Sequence, residues 1–321
     1  MQATSIYEPI QPGLARVDDK LRKVGSSHFP FLSQLLDHVF KTEGKRVRPA
    51  ITLLAASFRE HDRSISEIMA TAVELLHMAT LIHDDTVDNS DFRRGEATIS
   101  SLWGRNVAVL LGDFIFAASA TNVCDTDNVR VIRRFSETIM DLSSGELQEL
   151  ADAYNANQTM DDYLHRIYKK TASLFATAGE SGAILSGQSE EDVESLKSYG
   201  YNVGMAFQIV DDILDFEGTA EEVGKPVGSD LSHGIMTLPA ILALERYPDD
   251  NPIPLLFLHP EDAVHLERAI DMIQNSSIIE DSYAAAEKYC GKALDTLSGF
   301  PNSPSRDSLE ELAGYILSRR R

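Results

Sequence analysis

Apolar residues recur at helical spacing along most of the chain, and runs that alternate β-branched and polar residues are nearly absent. One clear pattern starts at Ser64-x-x-Glu67, which has the form of a capping box, and runs into Asp84 and Asp85. Another covers residues 191 to 216 and ends in a second acidic triplet. The spacing of the apolar residues therefore predicts an all-α fold in which two long helices carry acids at their C-terminal ends.

The length of 321 residues would suit one large domain or two ordinary ones. The sequence contains no repeat of fixed period and no Gly/Ser-rich or Pro-rich linker. We therefore predict one large helical bundle domain over residues 1–321. Its motif-bearing core covers about residues 44–239, and a C-terminal helical subregion covers about residues 250–321.

Charge and composition narrow the class of protein. The apolar share of 43% and charged share of 25% are those of a chain that folds throughout. Fifty acidic against 29 basic residues give a net charge of −21, which repels polyanions and argues against nucleic acid as a partner. Cys124 and Cys290 have no metal-ligand spacing, and no secretory leader or long uninterrupted apolar run is visible. We expect a cytoplasmic protein without a transmembrane segment.

A strict Asp-Asp-x-x-Asp pattern should arise by chance about 0.2 times in a chain of this composition. It occurs twice, at Asp84, Asp85 and Asp88 and at Asp211, Asp212 and Asp215. Carboxylates four residues apart share a helix face and repel each other unless a cation compensates them. A set of oxygen ligands without sulfur or paired imidazoles favours a hard cation such as Mg²⁺. Mg²⁺ completes its coordination shell with phosphate oxygens. A structural Ca²⁺ site has the same ligands and is the alternative. The looser acidic run at 190–194 is typical of a solvated helix start.

Cations are concentrated in four short stretches. These stretches supply Lys45, Arg46 and Arg48; Arg93 and Arg94; Lys169 and Lys170; and Lys225. The first surrounds a glycine turn before Pro49, where backbone N–H groups and side chains can converge on an anion, although such a run alone is typical of a solvated surface. His77 lies seven residues before Asp84, and Gln208 lies just before the second triplet. The whole set indicates a pocket for a metal-bound diphosphate on an apolar tail, whose departure would leave a carbocation.

A series of sequence blocks resembles the trans-isoprenyl diphosphate synthases, the head-to-tail polyprenyl synthetases. The blocks are GKRVRP, LLHMATLIHDDTVD with FRRG, LLGDFIF, SGEL, YKKTASLF, GMAFQIVDDILDF and GKPVGSDLSHGIMTLP. The resemblance implies an isoprenoid synthase bundle with a central cavity, about three Mg²⁺ ions, a homodimer and peripheral membrane contact for product release. The implied reaction joins isopentenyl diphosphate to an allylic diphosphate. Where many members carry a lysine this chain has Ile235, to which we assign no role.

The same resemblance implies a role for each matched residue. The metal ligands would be Asp84, Asp88, Asp211, Asp212 and Asp215. Isopentenyl diphosphate would be bound by Lys45, Arg48, His77 and Arg94, and the allylic diphosphate by Arg93, Lys170 and Lys225. Thr171 and Gln208 would place dipoles near the developing cation, so Lys170, Thr171 and Gln208 form the predicted catalytic group.

Product length and competing functions remain open at this stage. The small Ala79 and Thr80 before the first triplet resemble the medium- and long-chain synthases and predict a product of about C30 or longer, with a geranylgeranyl or farnesyl diphosphate synthase as the alternative. A terpene cyclase or a head-to-head synthase would have differently composed or spaced acids. A non-catalytic subunit of a heteromeric synthase would have degraded motifs, whereas both triplets are intact. A structural helical metal-binding protein is the remaining alternative.

The channel hypothesis makes a direct prediction about Ala79. Replacing Ala79 by tyrosine should close the channel and shorten the longest product, as measured by chromatography of the dephosphorylated products. An unchanged product distribution would contradict the assignment of this position to the channel wall.

Overall fold

The computed structural model describes residues 6–25, 29–41, 44–217 and 227–318, and these residues are almost entirely helical. The predicted all-α class is confirmed. In the first part of the chain the helices are α1 Gln11–Gly25, α2 Pro30–Lys41, α3 Val47–Ala56, α4 Arg63–Val87, α5 Ile99–Trp103 and α6 Arg105–Cys124. They are followed by α7 Val129–Asp152, α8 Met160–Ile167, α9 Ser173–Leu185 and α10 Glu190–Glu217. The remaining helices are α11 Ser229–Ser232, α12 Leu238–Arg246, α13 Pro252–Leu258, α14 Ala263–Gln274, α15 Ile278–Thr296 and α16 Pro304–Ser318.

A small antiparallel hairpin interrupts the helices between α4 and α5. Its strands are β1 Phe92–Arg93 and β2 Glu96–Ala97, paired Phe92 with Ala97 and Arg93 with Glu96. Arg94 and Gly95 form the turn with φ of 52° and 81°, the left-handed pair that a tight two-residue hairpin requires. The hairpin therefore carries two arginines at a defined orientation on a connection that would otherwise be a loop.

The chain forms two compact units. The first consists of Met1–Ser136, Thr177–Lys197 and Gly299–Leu309, and the second of Glu137–Ala176, Ser198–Ser298 and Glu310–Arg321. The prediction of one domain over residues 1–321 stays a prediction.

Helix α4 is the core of the first unit. It packs against α1, α3, α5 and α6, and most of its residues between Ser66 and Ile82 are buried. At Gly112 of α6 the His83 ring of α4 occupies the space that a Cβ atom would take, at 2.2 Å, so any side chain there would displace the ring. The first acidic triplet is thereby attached to the most firmly packed helix of the unit.

Two predicted helix boundaries can be compared with the structure. The capping box predicted at Ser64 is wrong, because the N-cap of α4 is Asp62, whose side chain accepts hydrogen bonds from the Ser64 backbone N–H and hydroxyl. Glu67 instead forms an ion pair with Arg16 of α1, at 2.7 Å. The second long helix, predicted for residues 191–216, is confirmed as α10.

Helices α4 and α6 are each long and apolar enough, by length and composition, to span a membrane. The sequence has no long uninterrupted apolar run, so these two helices were not predicted as possible membrane spans. Of the most apolar window, 72% is buried in α4 but only 33% in α6. Helix α4 is therefore a core helix, and α6 presents apolar side chains, including Val109 and Leu110, at the surface of its unit.

Candidate active site

The first acidic triplet lies at the C-terminal end of α4 in the first unit. Asp84 is half-buried, Asp85 is buried, and Asp88 is the exposed C-cap residue, whose backbone N–H donates to the Asp84 carbonyl at 2.8 Å. Asp84 and Asp88 thus reach solvent, while Asp85 faces the interior. The structure places the two predicted metal ligands of this triplet at an accessible helix end.

Arg93 of the hairpin is held by the buried acid of the same triplet. Its Nε donates to Asp85 Oδ1 at 2.6 Å. The rest of the hairpin is tied down by the His38 ring, 2.8 Å from the Ala97 carbonyl, and by the Thr98 hydroxyl, which donates to the Ser90 carbonyl at 2.7 Å. Asp85 therefore positions an arginine beside the predicted metal ligands Asp84 and Asp88.

The GKRVRP segment forms a turn that leads into α3. Lys45 is exposed and Arg48 is half-buried in the first turn of α3, while Arg46 between them is in the left-handed region with φ of 50°. Burial alone would lower the pKa of Arg46, but its ion partners Glu74 and Asp18 raise it above the ordinary value. The turn thus has a permanently charged residue at its centre.

His77 lies among the predicted phosphate-binding cations. Desolvation, followed by the positive charges of Arg48, Arg94, Arg93 and Arg46, lowers the pKa of His77 well below its ordinary value. The imidazole is therefore neutral at pH 7 and can donate one N–H hydrogen bond. The charges of Arg48, Arg94 and Arg93, which are distant from His77 in the sequence, therefore act on His77 in the folded first unit.

The two small residues assigned to the channel wall lie one turn before the triplet. Ala79 is fully buried in the first unit, and Thr80 is half-buried with its hydroxyl donating to the His77 carbonyl at 2.8 Å. Both side chains are small. Ala79 has no accessible surface and therefore does not border an open channel in this structure, so the channel hypothesis stays a prediction.

In the second unit, a chain of hydrogen bonds joins three predicted site residues. The Thr171 hydroxyl donates to Gln208 Oε1 at 2.6 Å, and Gln208 Nε2 donates to Asp212 Oδ1 at 2.9 Å. The Tyr163 hydroxyl donates to the other carboxylate oxygen of Asp212 at 2.7 Å, and burial raises the pKa of Tyr163 so that it remains a donor. Both oxygens of Asp212 are thus occupied by the protein.

Lys170 lies in a π-helical segment, Tyr168–Ala172, between α8 and α9. Such segments interrupt regular helices and are frequent at functional sites. The Lys170 ammonium forms ion pairs with Glu146 at 3.1 Å and Glu149 at 2.5 Å, both on α7. To bind an allylic diphosphate, Lys170 would exchange at least one of these carboxylates for phosphate oxygens.

The last acid of the second triplet is connected to the start of α11. The Asp230 backbone N–H donates to Asp215 Oδ2 at 3.1 Å, and the Gly228 N–H donates to the Asp215 carbonyl at 2.9 Å. Asp211 is half-buried on the same helix. Lys225, predicted to bind the allylic diphosphate, lies outside the described residues.

The donor chemistry of both triplets suits Mg²⁺. Among residues 6–25, 29–41, 44–217 and 227–318, no group of three or more His, Cys, Asp or Glu side chains is arranged as a complete metal cage. Mg²⁺ does not require one, because it usually binds one or two carboxylates and completes its shell with water and phosphate oxygens. The pairs Asp84 with Asp88 and Asp211 with Asp215 supply such ligands at spacings of i and i+4.

Asp212 of the second triplet is buried in an environment that disfavours its charged form. Burial, and then the negative charge of Asp230, raise the pKa of Asp212 to about 8, and the hydrogen bonds from Gln208 and Tyr163 offset this only in part. The carboxyl group therefore favours its protonated form at pH 7 in the absence of a bound cation. A nearby divalent ion would favour the carboxylate.

The sequence did not predict several residues that support the candidate site. Asp85, Tyr163, Glu146 and Glu149 each hold a predicted site residue through an ion pair or hydrogen bond, and Glu74 holds Arg46, which lies between Lys45 and Arg48. The only local signal was Glu74, an acid inside an apolar helix pattern three residues before His77. The other partners are distant in sequence and become visible only in the fold.

The raised pKa of Asp212 predicts a pH dependence of stability for the metal-free protein. Because the folded-state pKa of about 8 exceeds the ordinary value of 3.8, this group stabilises the fold below about pH 4, and the contribution is lost as the pH rises to about 8. In EDTA, the thermal unfolding midpoint of the wild type should fall over this range more than that of Asp212→Asn, which cannot ionise. An equal fall of the unfolding midpoint with pH in the two proteins would contradict the prediction.

The comparisons with known proteins agree with this geometry. The polyprenyl synthetase family model matches residues 29–255. Heptaprenyl diphosphate synthase component 2 of Geobacillus stearothermophilus is 38% identical over 320 residues, which cover 99% of this chain and 99% of that protein. The crystal structure of heptaprenyl diphosphate synthase from Staphylococcus aureus has a TM-score of 0.93 at 38% identity, covering 97% of this chain and 99% of that one.

A structure with bound ligands is also similar. Polyprenyl synthase from Caulobacter crescentus, solved with calcium and isoprenyl diphosphate, has a TM-score of 0.94 at 33% identity and covers 100% of this chain and 98% of its own. The family expected from the sequence blocks is thus confirmed over more than half of the chain. The chain belongs to the polyprenyl synthetase family of prenyltransferases.

Proposed function

We propose that this chain is an all-trans polyprenyl diphosphate synthase, which condenses isopentenyl diphosphate head to tail with an allylic diphosphate. The observation that carries the proposal lies in the first unit. There, the positive charges of Arg48, Arg94 and Arg93 act on the neutral His77, and Arg93 is bound to Asp85 at the end of the same helix, which presents Asp84 and Asp88. Cations gathered for a diphosphate beside carboxylates suited to a divalent metal are what this chemistry needs.

The residues of the first unit are proposed to bind the diphosphate groups. Lys45, Arg48, His77 and Arg94 would bind isopentenyl diphosphate, and Arg93, held by Asp85, would bind the allylic diphosphate. Arg48, Arg93 and Arg94 provide planar donors for phosphate oxygens, and His77 provides a neutral N–H. Mg²⁺ bound by the acidic triplets would neutralise the leaving diphosphate. Similarity to a synthase solved with calcium and isoprenyl diphosphate supports a divalent metal.

The residues of the second unit are proposed to serve the allylic substrate and the developing positive charge. Lys170 and Lys225 would bind phosphate oxygens. Thr171 donates its hydroxyl proton to Gln208, so its oxygen lone pairs remain directed outward as a dipole that can stabilise a carbocation. Tyr163 and Gln208 hold Asp212 in a single orientation.

The reaction needs no covalent enzyme intermediate. The allylic C–O bond breaks and its electron pair leaves with pyrophosphate. The double bond of isopentenyl diphosphate then attacks the cation to form a C–C bond, and the proton lost from the adduct passes to the released pyrophosphate. The protein contributes alignment of the substrates and exclusion of water that would quench the cation.

The product is proposed to be about C30 or longer, with geranylgeranyl diphosphate as the second candidate. The small side chain of Ala79 before the first triplet and the heptaprenyl names of two similar proteins, at 38% identity each, support the longer product. A product of this length is highly apolar, so we also propose peripheral membrane contact for its release.

The active assembly is proposed to be a homodimer. In the first unit α6 exposes Val109 and Leu110, and in the second unit α7 exposes Met140, Leu147 and Leu150 along one helix stripe. A second copy of the chain would remove such surface from water. The name component 2 on one relative favours a specific alternative, in which this chain needs a different second polypeptide.

Both proposals can be tested with the purified chain alone. Incubation with labelled isopentenyl diphosphate, farnesyl diphosphate and Mg²⁺ should yield products of about C30 or longer, and light scattering of the same sample should give twice the mass of the chain. Asp88→Asn should reduce turnover by about 100-fold, since one metal ligand is lost. Asp125→Asn, which alters the C-cap residue of α6, is the matched control and should retain activity.

The negative outcomes are also distinct. Absence of turnover with geranyl, farnesyl and geranylgeranyl diphosphates would contradict the synthase proposal for the isolated chain. Turnover that appears only after a second polypeptide is added would replace the homodimer by the heteromeric alternative.

A further inference from the structure

Arg46 stands between two residues that are proposed to bind isopentenyl diphosphate, yet its own side chain is bound to acids of the protein. Its Nη1 donates to Glu74 Oε1 at 2.6 Å and its Nε donates to Asp18 Oδ1 at 3.0 Å. The Arg46 and Glu74 side chains are 16% and 5% exposed, so this ion pair is largely screened from solvent. Arg46 is therefore fixed by the protein, whereas its neighbour Lys45 is exposed.

The backbone at Arg46 needs such an anchor. Arg46 is the N-cap residue of α3 with φ of 50° and ψ of 33°, a left-handed conformation that residues with a Cβ adopt at a cost. This conformation reverses the chain between Lys45 and the first turn of α3, where Arg48 lies. The Lys45 carbonyl is held separately by the Tyr7 hydroxyl, at 2.7 Å. The direction in which Lys45 and Arg48 leave the turn is thus set by contacts of their neighbours.

Glu74 is surrounded by the predicted cations. A Cβ atom built on Gly44 would lie 3.5 Å from Glu74 Oε1, 3.5 Å from Arg46 Nη1 and 3.4 Å from Arg94 Nη1. Three charged side chains therefore approach the same space beside Gly44. Glu74 also lies three residues before His77 on α4, so its carboxylate and the imidazole share one helix face.

Like charges brought together in this way repel each other when no ligand is present. A buried carboxylate on a rigid core helix provides a fixed counter-charge that does not dissociate with the substrate. The Glu74 carboxylate meets this description, since it is on α4 and contacts Arg46 beside Arg94. It allows the cations to be assembled before a diphosphate arrives, which lowers the cost of ordering them on binding.

We propose that Arg46 and Glu74 are positioning residues for isopentenyl diphosphate, whose ion pair locks the turn so that Lys45 and Arg48 are presented beside His77 and Arg94. The inference rests on the proposed function and deepens it. It assigns the ion pair to one of the two substrates, and neither Arg46 nor Glu74 is required to touch that substrate.

The test is a comparison of the two Michaelis constants in variants of the pair. Arg46→Met and Glu74→Gln should each raise the KM for isopentenyl diphosphate at least about tenfold, because a displaced turn weakens binding, while the KM for farnesyl diphosphate changes less than about twofold. The double variant should be no worse than the worse single variant, since both remove one interaction. Arg46→Lys, which keeps one ion pair with Glu74, should restore part of the affinity.

Arg16→Met is the matched control. Arg16 pairs with Glu67, two turns before Glu74, and joins α1 to the same helix α4 through the same chemistry but away from the turn. It should leave both Michaelis constants unchanged. If Arg46→Met does not fold, as judged by circular dichroism, Glu74→Gln and the double variant still decide the question.

Three results would overturn the inference: an unchanged KM for isopentenyl diphosphate in Glu74→Gln and in the double variant, equal increases for both substrates, or an equal increase in Arg16→Met. Failure of the proposed function is a separate result, because it would appear as absence of turnover in the wild type. If the wild type is active and the variants have an unaltered KM for isopentenyl diphosphate, only the positioning role is refuted and the proposed function stands.

Discussion

Repulsion between like charges is the constraint on which this structure depends. The chain must keep carboxylates at the end of α4 and arginines around His77, all within one folded unit. It does so by giving charges that face the interior an internal partner of opposite sign. Asp85 binds Arg93, and Glu74 binds Arg46. These ion pairs neutralise inward-facing charges of the first unit, which makes the proposed site for a highly charged substrate compatible with a stable fold.

The second unit follows the same logic with hydrogen bonds in addition to ion pairs. Asp212 is buried between Tyr163 and Gln208, and Lys170 lies against Glu146 and Glu149. The raised pKa of Asp212 shows where this compensation is incomplete. A divalent cation would complete it, so the same residues that leave the metal-free protein under electrostatic strain also favour metal-bound diphosphate. Binding of a divalent cation would relieve the unfavourable burial of the Asp212 charge, and this relief would add to the free energy of binding.

The sequence was sufficient for the fold class and the family, whereas the contacts that hold the predicted site residues in place were not visible in it. Helical periodicity located the long helices, and the repeated triplet located the acids, because both are local patterns. The predicted cap of α4 was Ser64 and the observed cap is Asp62, because both side chains, two positions apart, offer a suitable oxygen. The partnerships of Glu74 with Arg46 and of Tyr163 with Asp212 join residues 28 and 49 positions apart, and no local pattern encodes them. Distances between side chains depend on helix packing, which a single sequence does not specify.

The central claim is that the acidic triplets are organised for a metal–diphosphate complex and not for a structural ion. Equilibrium dialysis against Mg²⁺, with and without farnesyl diphosphate and in the absence of isopentenyl diphosphate, tests it most directly. The account predicts little Mg²⁺ retained by the protein alone and clear co-retention of Mg²⁺ with the diphosphate, reduced in Asp88→Asn. Equal retention of Mg²⁺ without the diphosphate would identify a structural metal site and contradict the account.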